Sequence, residues 1–137
     1  MQRRHFLQTG SALGAMGLIS GCATTGGGSG PKVVVIGGGY SGATAAKYLR
    51  LWSEQKIQVT LVEPNPAFVS CPISNLVIGG SKTIADITTP YDNLTKRHGV
   101  NVVKDRVNSI DADKRIVKLA GGTELSYDRL IVSPGVD

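Results

Sequence analysis

The stretch "KVVVIGGGYSG", residues 32–42, decides the fold that the sequence predicts. Its first five residues are mostly β-branched, as expected of a buried strand in a parallel sheet. Gly37, Gly39 and Gly42 then fit the pattern G-x-G-x-x-G. Gly37 permits a tight turn out of the strand, Gly39 lets the backbone approach a pyrophosphate, and Gly42 allows the next helix to pack close to the strand. The spacing therefore predicts a β-α unit that binds a dinucleotide.

The segments that follow support this prediction. Residues 41–53 are rich in alanine and prone to form a helix, whose N-terminus would offer free N–H groups to phosphates. A second strand is predicted at residues 57–62, and Glu63 follows it, 21 positions after Gly42. A carboxylate at this place accepts hydrogen bonds from a ribose diol and disfavours a ribose phosphate, so NADP is not expected. The alternative is a glycine-rich turn without a ligand beside a surface glutamate.

A second helix is predicted within the segment "TTPYDNLTKRHG". Thr89 is suited to cap this helix, with Pro90 at its first position. His98 would end the helix, and Gly99 would take the left-handed position that follows. His98 is therefore expected to interact with the helix dipole and not to act as a ligand or a base.

The remainder of the chain predicts a small β-meander that leads back into the parallel sheet. A third strand is predicted at residues 100–107, and turns are predicted at 111–114 and 121–122. The apolar run 130–132 returns to the sheet, and "SPG" at 133–135 turns sharply beside the sheet's carboxyl edge, although a plain turn is the alternative. The predicted fold class is α/β, a Rossmann-like dinucleotide-binding domain with a parallel sheet and a β-meander.

Length, composition and charge restrict the function. The 137 residues allow one domain at most, and 41% hydrophobic with 18% charged residues is typical of a globular protein. The formal net charge is +5, but Arg3 and Arg4 lie in a predicted export signal and the other basic residues are scattered. No nucleic-acid partner is predicted, because the basic residues form no patch in the sequence.

The N-terminal residues 1–21 are predicted to be an export signal. The pattern Arg-Arg-x-Phe-Leu resembles a twin-arginine signal, and the weakly apolar, glycine-rich stretch behind it favours this interpretation over a general secretion signal. That stretch, residues 10–21, is too short to span a bilayer. The twin-arginine route carries folded proteins, so it suits a periplasmic protein that takes up its cofactor in the cytoplasm.

Cys22 is predicted to carry a lipid anchor. "LISGC", residues 18–22, resembles a lipobox, in which this cysteine becomes the first mature residue. The alternative is the end of an ordinary signal peptide with an incidental cysteine. Residues 22–31 read as a flexible tether rich in glycine and serine, and no transmembrane span is predicted.

The other cysteine, Cys71, stands in the segment "AFVSCPISN", predicted to be a proline-marked loop. From the residues alone two interpretations are equally supported: a reactive thiol, or a small buried hydrophobic side chain without reactivity. The chain has no C-x-x-C-H sequence, so it carries no c-type haem, and no metal site is predicted.

The quoted segments, together with "VTLVEPN", "CPISNLVIGG", "RHGVNVV" and "YDRLIVSPGVD", resemble one family. It is the flavoprotein subunit of flavocytochrome c sulfide dehydrogenase, within the pyridine nucleotide-disulfide oxidoreductase superfamily. The resemblance covers residues 32–137. It implies that these residues are an incomplete FAD-binding domain, the N-terminal part of a longer flavoprotein with two dinucleotide domains.

The segment "CPISNLVIGG" is the most discriminating part of the resemblance. In this family a cysteine followed by Ser-Asn and Ile-Gly-Gly binds the flavin covalently through its 8α-methyl carbon. Cys71, Ser74, Asn75 and residues 78–80 match that pattern. The resemblance therefore implies that the cofactor is FAD, joined to Cys71 as an 8α-S-cysteinyl thioether. The residues predicted to contact the cofactor are Gly37, Gly39, Tyr40, Ser41, Gly42, Glu63, Cys71, Val107, Pro134 and Gly135.

The resemblance also implies a reaction and a partner. In the family, sulfide attacks a redox-active disulfide near the flavin, and the electrons pass through FAD to a c-type cytochrome subunit. The redox cysteines would lie downstream, so no catalytic residue is assigned within this chain. The alternatives are a sulfide:quinone or NADH:quinone oxidoreductase with the same FAD unit, and an inactive flavin-binding remnant. Export argues against the NADH version, because the periplasm lacks NADH.

Overall fold

The computed structural model describes residues 30–135, which form nine β-strands and three α-helices. The predicted export signal, Cys22 and most of the predicted tether lie outside the described residues. The strands are β1 (Lys32–Ile36), β2 (Gln58–Val62), β3 (Ala67–Val69), β4 (Thr88–Pro90), β5 (Asn101–Val103), β6 (Val107–Asp111), β7 (Ile116–Leu119), β8 (Glu124–Ser126) and β9 (Arg129–Val132). The helices are α1 (Tyr40–Trp52), α2 (Ser74–Ile78) and α3 (Asp92–His98).

A four-stranded parallel sheet forms the centre of the fold, with strand order β5-β2-β1-β9. Helix α1 makes the crossover from β1 to β2. The order reverses beside β1, because β2 and β5 extend the sheet on one side and β9 on the other. In open α/β sheets such a switch point leaves a crevice at the carboxyl ends of the strands.

Both faces of this sheet are covered. Val33 and Val35 of β1 pack with buried residues of α1 and with Tyr91 at the start of α3. Val34 points to the opposite face and packs with Val117 in the antiparallel sheet β6-β7-β8. Burial on both faces is the physical reason that β1 reads as a continuous apolar run and not as an alternating one.

Several predicted elements are confirmed. Strand β1 has the predicted bounds, while α1 and β2 agree with the prediction to within one residue. The meander forms as expected, and β9 returns to pair in parallel with β1. Helix α3 ends at His98, and Gly99 follows in the left-handed region with φ of 63°. The predicted fold class, α/β with a parallel sheet and a meander, is therefore the observed one.

The predicted cap at Thr89 is wrong. Thr89 and Pro90 belong to β4, which pairs antiparallel with β3, so their backbone is extended and not helical. The helix instead begins after Tyr91, without a side-chain cap. Tertiary pairing with a three-residue strand explains the error, because Phe68, the partner of Thr89, lies 21 residues earlier in a segment that the sequence predicts to be a loop.

The predicted strand 100–107 is also wrong as a single element. It divides into β5, in the parallel sheet, and β6, in the meander. Asp105 lies at the bend, where its carboxylate accepts hydrogen bonds from the N–H groups of Arg106 (2.7 Å) and Gly121 (3.0 Å). These bonds hold the bend that takes the chain from one sheet to the other. A sequence pattern around Asp105 does not reveal the bond to Gly121, because the two residues are 16 positions apart.

The predicted loop around Cys71 has structure of its own. It contains β3, a 3-10 turn at Cys71–Ile73 and the short helix α2. Within the described residues, no helix is both long enough and apolar enough to cross a membrane.

Candidate functional site

A cleft of about 720 Å³ opens at the carboxyl ends of β1, β2 and β9. It lies where the strand order reverses, as expected for a ligand site in this fold. Eight of the ten residues predicted to contact the cofactor line it: Gly37, Gly39, Tyr40, Ser41, Glu63, Val107, Pro134 and Gly135. The structure therefore brings together residues that are up to 98 positions apart in the chain. Gly42 and Cys71 are not part of its wall.

The three motif glycines lie where a side chain would interfere with the fold or with a ligand. Gly37 has φ of +94°, and a Cβ there would lie 2.8 Å from the carbonyl carbon of Ser133. A Cβ on Gly42 would lie 3.0 Å from the carbonyl carbon of Gly37 and closer still to its oxygen. A Cβ on Gly39 would approach only Phe68, at 3.9 Å, so the space beside this backbone is open to a ligand.

The N-terminus of α1 faces this space. Its cap residue is Gly39, no side chain caps it, and its first turn has no acidic residue. The first N–H groups of a helix have no partner within the helix, and the helix dipole adds a partial positive charge there. These groups fit a pyrophosphate, which supplies negative charge and hydrogen-bond acceptors.

Glu63 lies at the end of β2, and only 8% of its surface is exposed. Its Oε2 atom accepts a hydrogen bond from the N–H of Gly38 (2.6 Å). Its Oε1 atom accepts two from Asn65, from the backbone N–H (2.9 Å) and from the side-chain amide (2.8 Å). An ionised carboxylate has about four acceptor positions, so one remains for the ribose hydroxyl that the sequence predicts as its partner.

Tyr91 contributes to the glycine loop although it is distant in sequence. Its hydroxyl donates a hydrogen bond to the backbone oxygen of Gly38 (2.9 Å), and only 7% of its surface is exposed. Burial, and next the negative charge of Glu63, raise the pKa of Tyr91 to about 12. The sequence contains no local signal for this contact.

Asn65, Asp105 and Arg106 also line the cleft and were not predicted to do so.

Cys71 is exposed and directly follows Ser70 in the chain. The alternative interpretation expected a buried side chain at this position, and on burial it is wrong. Tyr40, at the start of α1, connects the two regions: its hydroxyl is hydrogen-bonded to Ser70 Oγ, and its ring meets that of Phe68 edge-on, with centroids 4.7 Å apart. The residue before Cys71 is thus hydrogen-bonded to the first residue of α1. Among residues 30–135, no group of three or more His, Cys, Asp or Glu side chains is placed to hold a metal ion.

Comparison with known proteins places the chain and its fold in a family. The model of the family described as pyridine nucleotide-disulphide oxidoreductase matches residues 31–137. The chain is 61% identical over 46 residues to the sulfide dehydrogenase (flavocytochrome c) flavoprotein chain of Chlorobaculum thiosulfatiphilum, covering 34% of this chain and 94% of that one. The sequence-based resemblance to that flavoprotein is confirmed, and the match indicates FAD as the cofactor.

The sulfide-quinone reductases are more distant relatives but match over a longer range. The chain is 30% identical over 103 residues to that of Aquifex aeolicus, covering 75% of this chain and 24% of that protein. The solved structure of the sulfide:quinone oxidoreductase from Aquifex aeolicus superposes with a TM-score of 0.69 at 30% identity, covering 78% of this chain and 25% of that one. The chain spans about a quarter of the length of these relatives. On the family match and the shared fold, it belongs to the pyridine nucleotide-disulphide oxidoreductase family.

Proposed function

We propose that this chain is the FAD-binding part of a periplasmic sulfide dehydrogenase, which oxidises sulfide and passes the electrons to a c-type cytochrome subunit. The observation that carries the proposal is the cleft at the switch point, where the α1 N-terminus and Glu63 face the same space. The 61% identity to a sulfide dehydrogenase flavoprotein chain supports the choice of substrate and partner.

The chain's own residues would bind the adenosine diphosphate half of the cofactor. The amides at Gly39, Tyr40 and Ser41 hold the pyrophosphate, because they are the unpaired donors at the positive end of α1. Glu63 accepts a hydrogen bond from the ribose. Pro134 and Gly135 also line the cleft. When bound, FAD supplies the two-electron acceptor that sulfide oxidation requires.

Cys71 would bind the flavin covalently, as an 8α-S-cysteinyl thioether. The support is an exposed thiol, next to a serine that is hydrogen-bonded to Tyr40 of the cleft. A thiolate is the nucleophilic form of cysteine, and an accessible position is required for it to react. A covalent bond would keep the cofactor in place after export, where it cannot be replaced from the cytoplasm.

Acid precipitation tests the covalent bond. We expect yellow colour to remain with the precipitated protein in the wild type and to move into the supernatant in the Cys71→Ser variant. Cys22→Ser is the matched control, since it removes the other cysteine and should keep the colour in the precipitate. Colour in the supernatant of the wild type would contradict the thioether while leaving FAD binding intact. Material without any flavin would contradict the whole proposal.

We also propose export by the twin-arginine route and a lipid anchor at Cys22. Both proposals are supported by the sequence of residues 1–22. Replacing Arg3 and Arg4 together by lysine should leave the protein in the cytoplasm if the twin-arginine route is used. Labelling of the wild type with radioactive palmitate, and its absence in Cys22→Ser, would support the lipid anchor. A soluble periplasmic protein without label would contradict the anchor but not the export.

A second candidate is a sulfide:quinone oxidoreductase, favoured by the match over 75% of the chain and by the similar fold. The two candidates differ in the electron acceptor. The intact protein, purified with its natural partners, should reduce a c-type cytochrome with sulfide under the first proposal. Reduction of a soluble quinone without cytochrome reduction would favour the second.

A further inference from the structure

We propose that Tyr91 is a positioning residue for the dinucleotide site, because it and Glu63 bind the carbonyl oxygen and the N–H of Gly38 and thereby align the amides that follow. The inference rests on the proposed function, since it concerns the same cleft. It adds a residue that the glycine motif does not contain, 53 positions away from the glycine it binds.

Gly38 occupies a variable position of the motif, yet both of its backbone polar groups have buried partners. Its N–H donates to Glu63 (2.6 Å), and its carbonyl oxygen accepts from the hydroxyl of Tyr91 (2.9 Å). Buried hydrogen bonds of this kind fix a backbone segment, because breaking one leaves a polar group without a partner. The peptide planes on both sides of Gly38 therefore have a defined orientation before any ligand binds.

The ring of Tyr91 is itself held firmly. It belongs to the cluster of buried residues that includes Val33 and Val35 of β1. The backbone oxygen of Tyr91 accepts hydrogen bonds from Leu94 (2.9 Å) and Thr95 (3.3 Å), in the first turn of α3. The hydroxyl thus projects from the start of a helix that is packed against the sheet, and it can act as a fixed support.

The packing leaves no room for a side chain at Gly38. A Cβ there would lie 2.7 Å from Cζ of Tyr91 and 2.9 Å from Cγ of Glu63, and closer still to the tyrosine hydroxyl. The two hydrogen bonds that hold the backbone here therefore require glycine at this position. Gly39, Tyr40 and Ser41, the cap and first residues of α1, follow directly, and their amides are the ones proposed to bind the pyrophosphate.

Two consequences follow for the ligand. The residue expected to bind the ribose, Glu63, is also hydrogen-bonded to the pyrophosphate loop, so the two subsites share one network. The tyrosine hydroxyl stays neutral and able to donate at any physiological pH, because burial raises its pKa to about 12. The hydroxyl is hydrogen-bonded to Gly38, beside the α1 amides, and not to Glu63. Removing it should therefore weaken phosphate binding more than it weakens adenosine binding.

Calorimetric titration with ADP and with adenosine tests this inference. The full chain would carry Cys71→Ser, so that noncovalent flavin can be removed first. In Tyr91→Phe we expect the ADP affinity to fall about five- to tenfold, the loss of one buried hydrogen bond, while the adenosine affinity changes less than about twofold. Tyr48→Phe is the matched control, because its ring packs against Trp52 on the other end of α1.

A variant that keeps the donor separates hydrogen bonding from packing. Replacing Tyr91 by para-aminophenylalanine retains an N–H donor at nearly the same place and should keep the ADP affinity of the parent, even if Tyr91→Phe fails to fold. Equal losses for ADP and adenosine, an unchanged ADP affinity in Tyr91→Phe, or a folded amino variant with weak ADP binding would overturn the inference. If the parent itself binds no ADP, the proposed FAD site is wrong and this inference falls with it.

Discussion

Replacing Gly42 by alanine should loosen the junction between β1 and α1, on which the whole cleft depends. A Cβ at this position would lie 3.0 Å from the carbonyl carbon of Gly37, and its distance to the oxygen would be shorter than real Cβ atoms keep. The obstacle is backbone, which cannot rotate away as a flexible side chain can. The helix must therefore move away from the strand, and Ala46, which is fully buried one turn later, must move with it.

The size of the effect follows from two opposing contributions. Overpacking of a well-packed interior costs about 1–3 kcal/mol, and we expect the upper value because backbone is the obstacle. The better helix propensity of alanine returns at most about 1 kcal/mol. The net loss in the free energy of unfolding is then about 2 kcal/mol, which for a domain of this size lowers Tm by roughly 8 °C.

Thermal and urea unfolding of the flavin-free protein measure this change. Gly135→Ala is a suitable control for stability, because a Cβ there would have no atom within 4 Å. We expect the control to unfold like the parent, while Gly42→Ala melts earlier and also binds ADP more weakly, since the α1 amides are displaced. A Gly42→Ala protein with the Tm and the ADP affinity of the parent would refute the close-packing argument.

Three other predictions concern side chains outside the glycine motif. Arg50→Met should lower the free energy of unfolding by about 2 kcal/mol, since the guanidinium donates to three backbone carbonyls at 2.6–2.9 Å, whereas the exposed Arg97→Met should have little effect in the same urea titration. Tyr91 should make the fold sensitive to alkali: its folded-state pKa is about 12 against an ordinary 10.0, so its contribution is complete below pH 10 and is lost as the pH rises towards 12. Urea unfolding at several alkaline pH values should show a steeper loss for the parent than for Tyr91→Phe, and equal slopes would contradict the assigned environment. Iodoacetamide should alkylate Cys71 in the flavin-free protein, because this thiol is exposed, and mass spectrometry should find it protected when flavin is bound; equal labelling of both forms would argue against the thioether.

The sequence predicted the structure best where the conformation of a short segment depends on the residues of that segment alone. The run before Gly37 is buried on both faces, so its apolar continuity identified β1 with the correct bounds. Gly99 has a left-handed backbone, and glycine after a helix is a local signal for it. Where pairing with a distant strand decided the backbone, as at Thr89, the local capping pattern was misleading.

In the candidate site, too, locally encoded features were predicted and features that depend on distant contacts were not. Glycines and an acidic residue at characteristic spacing predicted which residues meet at the cleft, since the β-α-β unit brings them together by its own geometry. Asp105 and Arg106 were missed, because they reach the cleft only through the bend between two sheets. The sequence predicted a role for Cys71, but the exposure of this thiol and the hydrogen bond between Ser70 and Tyr40 could be seen only in three dimensions.

The amino-acid order by itself determined the β-α-β unit and a dinucleotide as the class of cofactor, because those depend on backbone requirements that glycine, β-branched and acidic residues reveal locally. The family was predicted from the sequence through the resemblance of several segments. Only the tertiary structure decided how the unit is made rigid. The hydrogen bonds that hold Gly38 come from residues 25 and 53 positions away, and no local pattern records a contact over such separations. Buried polar groups need hydrogen-bond partners, and which residues become those partners depends on proximity in the folded structure and not on proximity in the sequence.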